Sequence, residues 1–87
     1  MDTASIDALI DRLNLVTEST PSNVGVAMSH DLFMECARRG LIEMKEFSAL
    51  GTGFLPNILP TYKGKNFSFV HPDFPDWEFQ VGRPSAG

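Results

Sequence analysis

Two periodicities divide this chain. From Ala4 to Val16 the apolar residues recur at helical spacing: Ile6, Leu9, Ile10, Leu13 and Val16 share one face, while Asp7 and Asp11 lie on the other. The spacing predicts an amphipathic helix over 4–16, capped by Asp2 or Thr3, with Asp2 also suited to the positive end of the helix dipole. Thr20-Pro21 bars its continuation. Residues 17–28 read as a connector, in which Val24-Gly25-Val26 is a candidate extended piece. A helix opened by Thr20 with Pro21 at its first position is the alternative there, disfavoured by Gly25 and the two valines. A second helix is predicted over 29–39. Ser29 is a suitable N-cap, Asp31 lies in the first turn, and Leu32, Phe33, Cys36 and Ala37 form the apolar stripe. Gly40 is a natural left-handed stop, with Leu41 placed for the hydrophobic contact that often follows one.

Residues 42–50 carry both signals. Leu41, Met44, Phe47 and Leu50 recur every three residues, whereas Ile42 to Glu46 alternates as a strand would. Glu, Met and Lys favour helix, and Gly51 and Gly53 supply a stop, so a short helix is the expectation.

Beyond residue 53 the period changes to two. Phe67 and Phe69 alternate with Ser68 and Val70, and Trp77, Phe79 and Val81 alternate with Glu78 and Gln80. Strands are predicted over 58–63, 66–71 and 77–81. Gly64-Lys65 reads as a type II′ hairpin turn and 71–76 as a loop. Pro60 cannot donate to a ladder, which makes the first of these strands an edge and the proline-free 66–71 central. The fold class expected is therefore α+β: two or three N-terminal helices packed on a small three-stranded antiparallel meander, with Leu9, Leu13, Phe33, Cys36 and Phe69 in the core. Three helices followed by a lysine-tipped hairpin would be the layout of a winged helix, as fold-level analogy only.

Composition narrows the function more than it names it. Eighty-seven residues, 43% hydrophobic and 21% charged, suit one globular domain over 1–87, with 82–87 expected as a frayed tail. The net charge of −4 argues against a general polyanion binder, because phosphate contacts need Lys and Arg. The acidity lies in residues 1–46. A single Cys36 cannot close an internal disulfide, no basic region precedes the interrupted apolar run Ile6–Ile10, and no apolar stretch approaches the ~20 residues of a membrane span. A cytoplasmic chain is the expectation.

Candidate chemistry is sparse. His30, Cys36 and His71 lack the close spacing of a metal site, and Cys36 falls mid-stripe, where a thiol is inert. Gly51-Thr52-Gly53 lacks the Gly-Lys-Ser/Thr of a phosphate loop. Asp73, Asp76 and Glu78 lack the glycine and downstream glutamate of a calcium loop. No catalytic, cofactor or metal residue is assigned. The strongest candidate is the loop 71–76 with Trp77. There Phe74 sits between Pro72 and Pro75 and could anchor a protein partner, with Trp77 beside it and Asp73 and Asp76 as a polar rim. The competing reading is DNA contact through Arg38, Arg39, Lys63 and Lys65. Against it, Glu43 and Glu46 would face phosphates from the reading helix expected over 43–50. The function expected is a small non-enzymatic binding or regulatory module acting through a protein partner or self-association.

Overall fold

The computed structural model describes residues 2–46 and 58–82. Helix α1 spans Thr3–Glu18. Asp2 caps it, its carboxylate accepting the Ser5 N–H at 2.8 Å. The helix runs two residues past the sequence expectation because its C-terminal carbonyls find partners. Thr17 Oγ1 donates to Leu13 O, Thr20 Oγ1 to Val16 O, and Lys65 Nζ reaches Thr17 O at 2.7 Å. Strand β1 is Gly25–Met28, and helix α2 is His30–Arg38. Helix α2 starts on the Ser29 hydroxyl and ends as its sequence predicts. Gly40 adopts φ +77°, its N–H bonds Ala37 O, and Leu41 N–H bonds Cys36 O, which together close a Schellman stop. Strands β2 (Ile42–Glu46), β3 (Ile58–Tyr62), β4 (Asn66–Val70) and β5 (Phe79–Gly82) complete the described chain.

The sheet has five strands in the order β2-β3-β4-β1-β5. Strands β2, β3 and β4 form an antiparallel meander. Strand β1 then lies parallel to β4, with Val26 opposite Ser68, and β5 runs antiparallel on its other side. Among the described residues, two helices on a mixed five-stranded sheet replace the expected three-stranded antiparallel meander, and with it the winged-helix layout.

Three local misreadings account for the difference. The run Val24–Met28, read as connector, supplies the most buried strand of the sheet. A strand flanked on both sides, with Val26 and Met28 in the core and only the small Gly25 and Ala27 on the other face, shows no polar–apolar alternation. The expected helix over 42–50 is a strand over its first five residues, where pairing with β3 from Ile42↔Tyr62 to Glu46↔Ile58 overrides helix propensity. Its remainder, 47–50, lies outside the described residues, as do Gly51-Thr52-Gly53 and most of the expected tail. Finally, β3 is not an edge. Pro60 is accommodated because the β3–β4 ladder covers only Tyr62↔Asn66 and Thr61↔Phe67 and stops before the proline is reached. The intervening turn places Lys63 at φ +56° and Gly64 at φ +74°, with Lys65 N–H on Tyr62 O. Both central residues are left-handed, as in a type I′ turn rather than the expected type II′.

Both helices pack on one face of the sheet. Leu9, Ile10 and Leu13 from α1 and Leu32 and Cys36 from α2 meet Val26, Met28 and Tyr62, with Phe33, Trp77, Phe79 and Val81 partly buried against them. Leu9, Leu13 and Cys36 are buried as the sequence suggests. Phe69 is not: it is 43% exposed on the opposite face. Leu32→Ala should cost about 3–5 kcal/mol by leaving a cavity in this core, whereas Phe69→Ala should cost about 1 kcal/mol or less. Paired thermal melts would test both, and equal losses would show that the sheet is covered on both faces.

Candidate interaction surface

Strand β4 is inverted relative to its own alternation. Its polar residues point inward: Asn66 and Ser68 are buried on the helix side, while Phe67 and Phe69 face the other way. The register enforces this. Ser68 pairs with Val26 in the parallel ladder, so its side chain shares the helix-facing side with Val26 and Met28. A small serine there leaves room for Met28, whose sulfur lies 3.9 Å from Ser68 Oγ. Asn66 ties down the α1–β1 connector: its amide nitrogen donates to Pro21 O at 2.8 Å and to Val24 O at 2.6 Å. Once those two positions are turned inward, Phe67 and Phe69 have only the second face to occupy.

That second face carries a largely apolar depression of about 460 Å³ lined by Gly25, Leu59, Pro60 and the β4 run Phe67-Ser68-Phe69, together with Asn23. It opens where the β3–β4 pairing lapses beyond Thr61. Gly25 lies on its floor, close under the Phe69 ring: a Cβ there would stand 3.3 Å from that ring, which would have to shift slightly. Glu43 and Lys45 of β2 project on the same side, opposite Thr61 and Leu59 respectively. No described helix lies on this face. An apolar centre beside charges of both signs is the anatomy of a protein-binding surface.

The loop singled out from the sequence lies at one end of the sheet, beyond the C-terminal ends of β1 and β4. Ser29 holds it there. The Ser29 hydroxyl accepts both Leu32 N–H at 3.3 Å and Trp77 N–H at 3.0 Å, and Ser29 N–H bonds Glu78 O at 2.9 Å. Trp77 is forced to φ +61°, a conformation that a bulky residue rarely adopts, and its side chain packs against the core. Phe74 is half-buried and stacks on the His71 ring, centroids 4.5 Å apart. Asp73 is exposed, with its N–H on His71 Nδ1 at 3.2 Å. Asp76 lies beside the Asp31 carboxyl at the start of α2, and the interaction between the two carboxyl groups raises Asp31 above its ordinary value. The structure therefore brings Trp77 and Asp76 to the α2 N-terminus, with Phe74 and Asp73 beside them on His71. Phe74 and Trp77 are both half-buried beside the two exposed acids; Trp77 packs against the core, whereas Phe74 stacks on His71.

The basic residues are largely engaged. Arg38 and Arg39 clasp Glu35, Arg39 Nε at 2.7 Å, and Arg39 Nη2 continues to Asp7 of α1 at 2.7 Å. These hydrogen bonds hold the Glu35 carboxyl down at about 2. Lys65 is spent on the α1 C-terminus and Lys45 on Gly64 O. Of the four residues weighed for DNA contact, three are thus committed to internal partners. Among the described residues no three His, Cys, Asp or Glu side chains converge as a metal site would require. Cys36 is fully buried, and burial pushes its thiol up to about 11. Comparison of the chain with protein-family models, with characterised proteins and with solved structures finds no match.

The surface residues that sequence reasoning missed are Gly25, Leu59, Phe67 and Phe69. The alternation of 66–70 was visible, but its inside and outside were assigned by polarity, and β4 reverses that rule.

Two solution measurements follow from this geometry. Cys36 should react slowly with a thiol reagent in the native protein and rapidly in denaturant; fast native labelling at neutral pH would contradict its burial. A carboxylate whose folded value is depressed contributes stability above its ordinary value, here 4.5, and loses it as pH falls toward 2. Glu35→Gln should therefore show a flatter fall of Tm than the parent between pH 4.5 and 2. Parallel slopes would mean that the Arg38–Glu35–Arg39 clasp adds nothing to folding.

Proposed function

We propose that this chain is a small non-enzymatic binding and regulatory module, which holds a polypeptide partner against the face of its sheet that no described helix covers. The observation that carries the reading is the inversion of β4: two phenylalanines face outward while an asparagine and a serine are buried. Single exposed apolar residues need no explanation, but buried polar groups paired with a contiguous apolar patch are informative. The partner that fits presents apolar side chains to Leu59, Phe67 and Phe69, with polar groups for Glu43 and Lys45. Aromatic anchors in such a setting carry a disproportionate share of binding energy. The loop residues Phe74, Asp73 and Asp76 form the second surface of the same kind, supported by the accessible Phe74 ring. Among the described residues no helix is long and apolar enough to cross a membrane.

The test sets the two surfaces against each other. Phe69→Asp and Phe74→Ala should both melt close to the parent. Capture of protein from a lysate of the native host should be lost by ~2 kcal/mol or more, the threshold of a hot spot, in Phe69→Asp and retained in Phe74→Ala. Loss in Phe74→Ala alone would move the interface to the loop. Identical capture by all three proteins would refute both surfaces.

A further inference from the structure

The two edges of the sheet are unlike. Strand β2 places Glu43, Lys45 and Glu46 along its edge, the charged composition that keeps edges from pairing. Strand β5, Phe79-Gln80-Val81-Gly82, carries no charge and no proline, and among the described residues nothing pairs with its outer side. We propose that β5 is a self-association edge, and that its partner is β5 of a second copy of this chain, paired antiparallel about a two-fold axis at Gln80.

The direction of the backbone groups supports this. Ser29 N–H bonds Glu78 O, and these residues stand opposite each other in line with the β1–β5 register. In an antiparallel ladder bonded and non-bonded pairs alternate. Ala27↔Gln80 and Gly25↔Gly82 are therefore bonded pairs, and Gln80 and Gly82 turn their backbone groups toward β1. Phe79 and Val81 stand in the non-bonded pairs, so their N–H and C=O groups point away from β1, out of the sheet. An antiparallel edge with outward groups at alternate residues is its own complement. Phe79 of one copy meets Val81 of the other, and Gln80 faces Gln80 across the axis. The side chains agree with this pairing. Phe79 and Val81 are half-buried on the helix face, and Gln80 is exposed on the open face. Strand β5 itself carries no charge, unlike β2, and the Arg12 guanidinium beside it lies over the Phe79 ring, 5.4 Å from its centroid.

The axis stands perpendicular to the sheet, because antiparallel extension of one continuous sheet requires it. Both open faces then look the same way. Two depressions lined by Phe67 and Phe69 would sit side by side on one ten-stranded sheet, about two strands from the axis on each side. A partner with two apolar segments, or a partner that is itself dimeric, would gain effective concentration from such an arrangement.

Gln80 supplies the test. In a non-bonded antiparallel pair the Cα atoms stand about 4.5 Å apart, within the ~4.4–6.8 Å that a disulfide spans. The full chain carrying Gln80→Cys should form a covalent dimer under mild oxidation, while Asp73→Cys, exposed in the loop, should form far less. The buried Cys36 does not compete. Sedimentation equilibrium on the parent should show a concentration-dependent dimer, and Gln80→Lys, which sets two lysines face to face, should shift it to monomer with Tm unchanged. A parent that stays monomeric to ~1 mM overturns the proposal, as does a dimer that survives Gln80→Lys without cross-linking at Gln80→Cys. Neither result touches the open-face reading, which is judged by capture with Phe69→Asp and does not need the dimer.

Discussion

The insertion of β1 between β4 and β5 is the constraint on which the other features depend. Four residues, all buried, make a parallel ladder on one side and an antiparallel ladder on the other. Backbone groups removed from water in this way must all be paired, and the two flanking strands supply the partners. Without β1 the antiparallel meander β2-β3-β4 would end at β4, and β5 would have nothing to pair with. Parallel pairing with β4 also needs a long connection, which the chain provides as α2, β2 and β3 in turn.

Ser29 extends this constraint to the end of the sheet. It follows β1 directly, caps α2 and accepts the Trp77 N–H, so one hydroxyl joins the central strand, the second helix and the return loop to β5. The unusual backbone of Trp77 is tolerated there because its N–H bond and its packing against the core over-determine it. On the opposite side, the clasp of Glu35 by Arg38 and Arg39, with Asp7 beyond, ties the two helices together across the top of the same core.

The parallel register also decides the chemistry of the exposed surface. By setting Ser68 beside Val26 and Met28, it spends the inward positions of β4 on small or polar side chains. The phenylalanines are displaced to the face that no described helix covers. Buried Asn66 donates its amide nitrogen to two connector carbonyls while its Oδ1 has no partner among the described residues, and the Ser68 hydroxyl donates to the Met28 sulfur. The apolar depression is thus a consequence of how the core is filled and of where Pro60 ends the β3–β4 ladder.

Local signals in the sequence were sufficient for whatever local physics controls. The α1 stripe, the Ser29 cap, the Gly40 stop, the strands near 58–63 and 66–71, the central place of the latter and the burial of Leu9, Leu13 and Cys36 were all legible, because each rests on neighbours within a few residues. Only the tertiary structure decided that Val24–Met28 is a strand, that 42–46 pairs rather than coils, and which side of β4 faces the core. A doubly flanked strand carries no alternation to read. An ambivalent segment takes the form its partner offers, and β3 offered a ladder. The inside of β4 is set by a register with residues some forty positions away, which no period along the chain encodes.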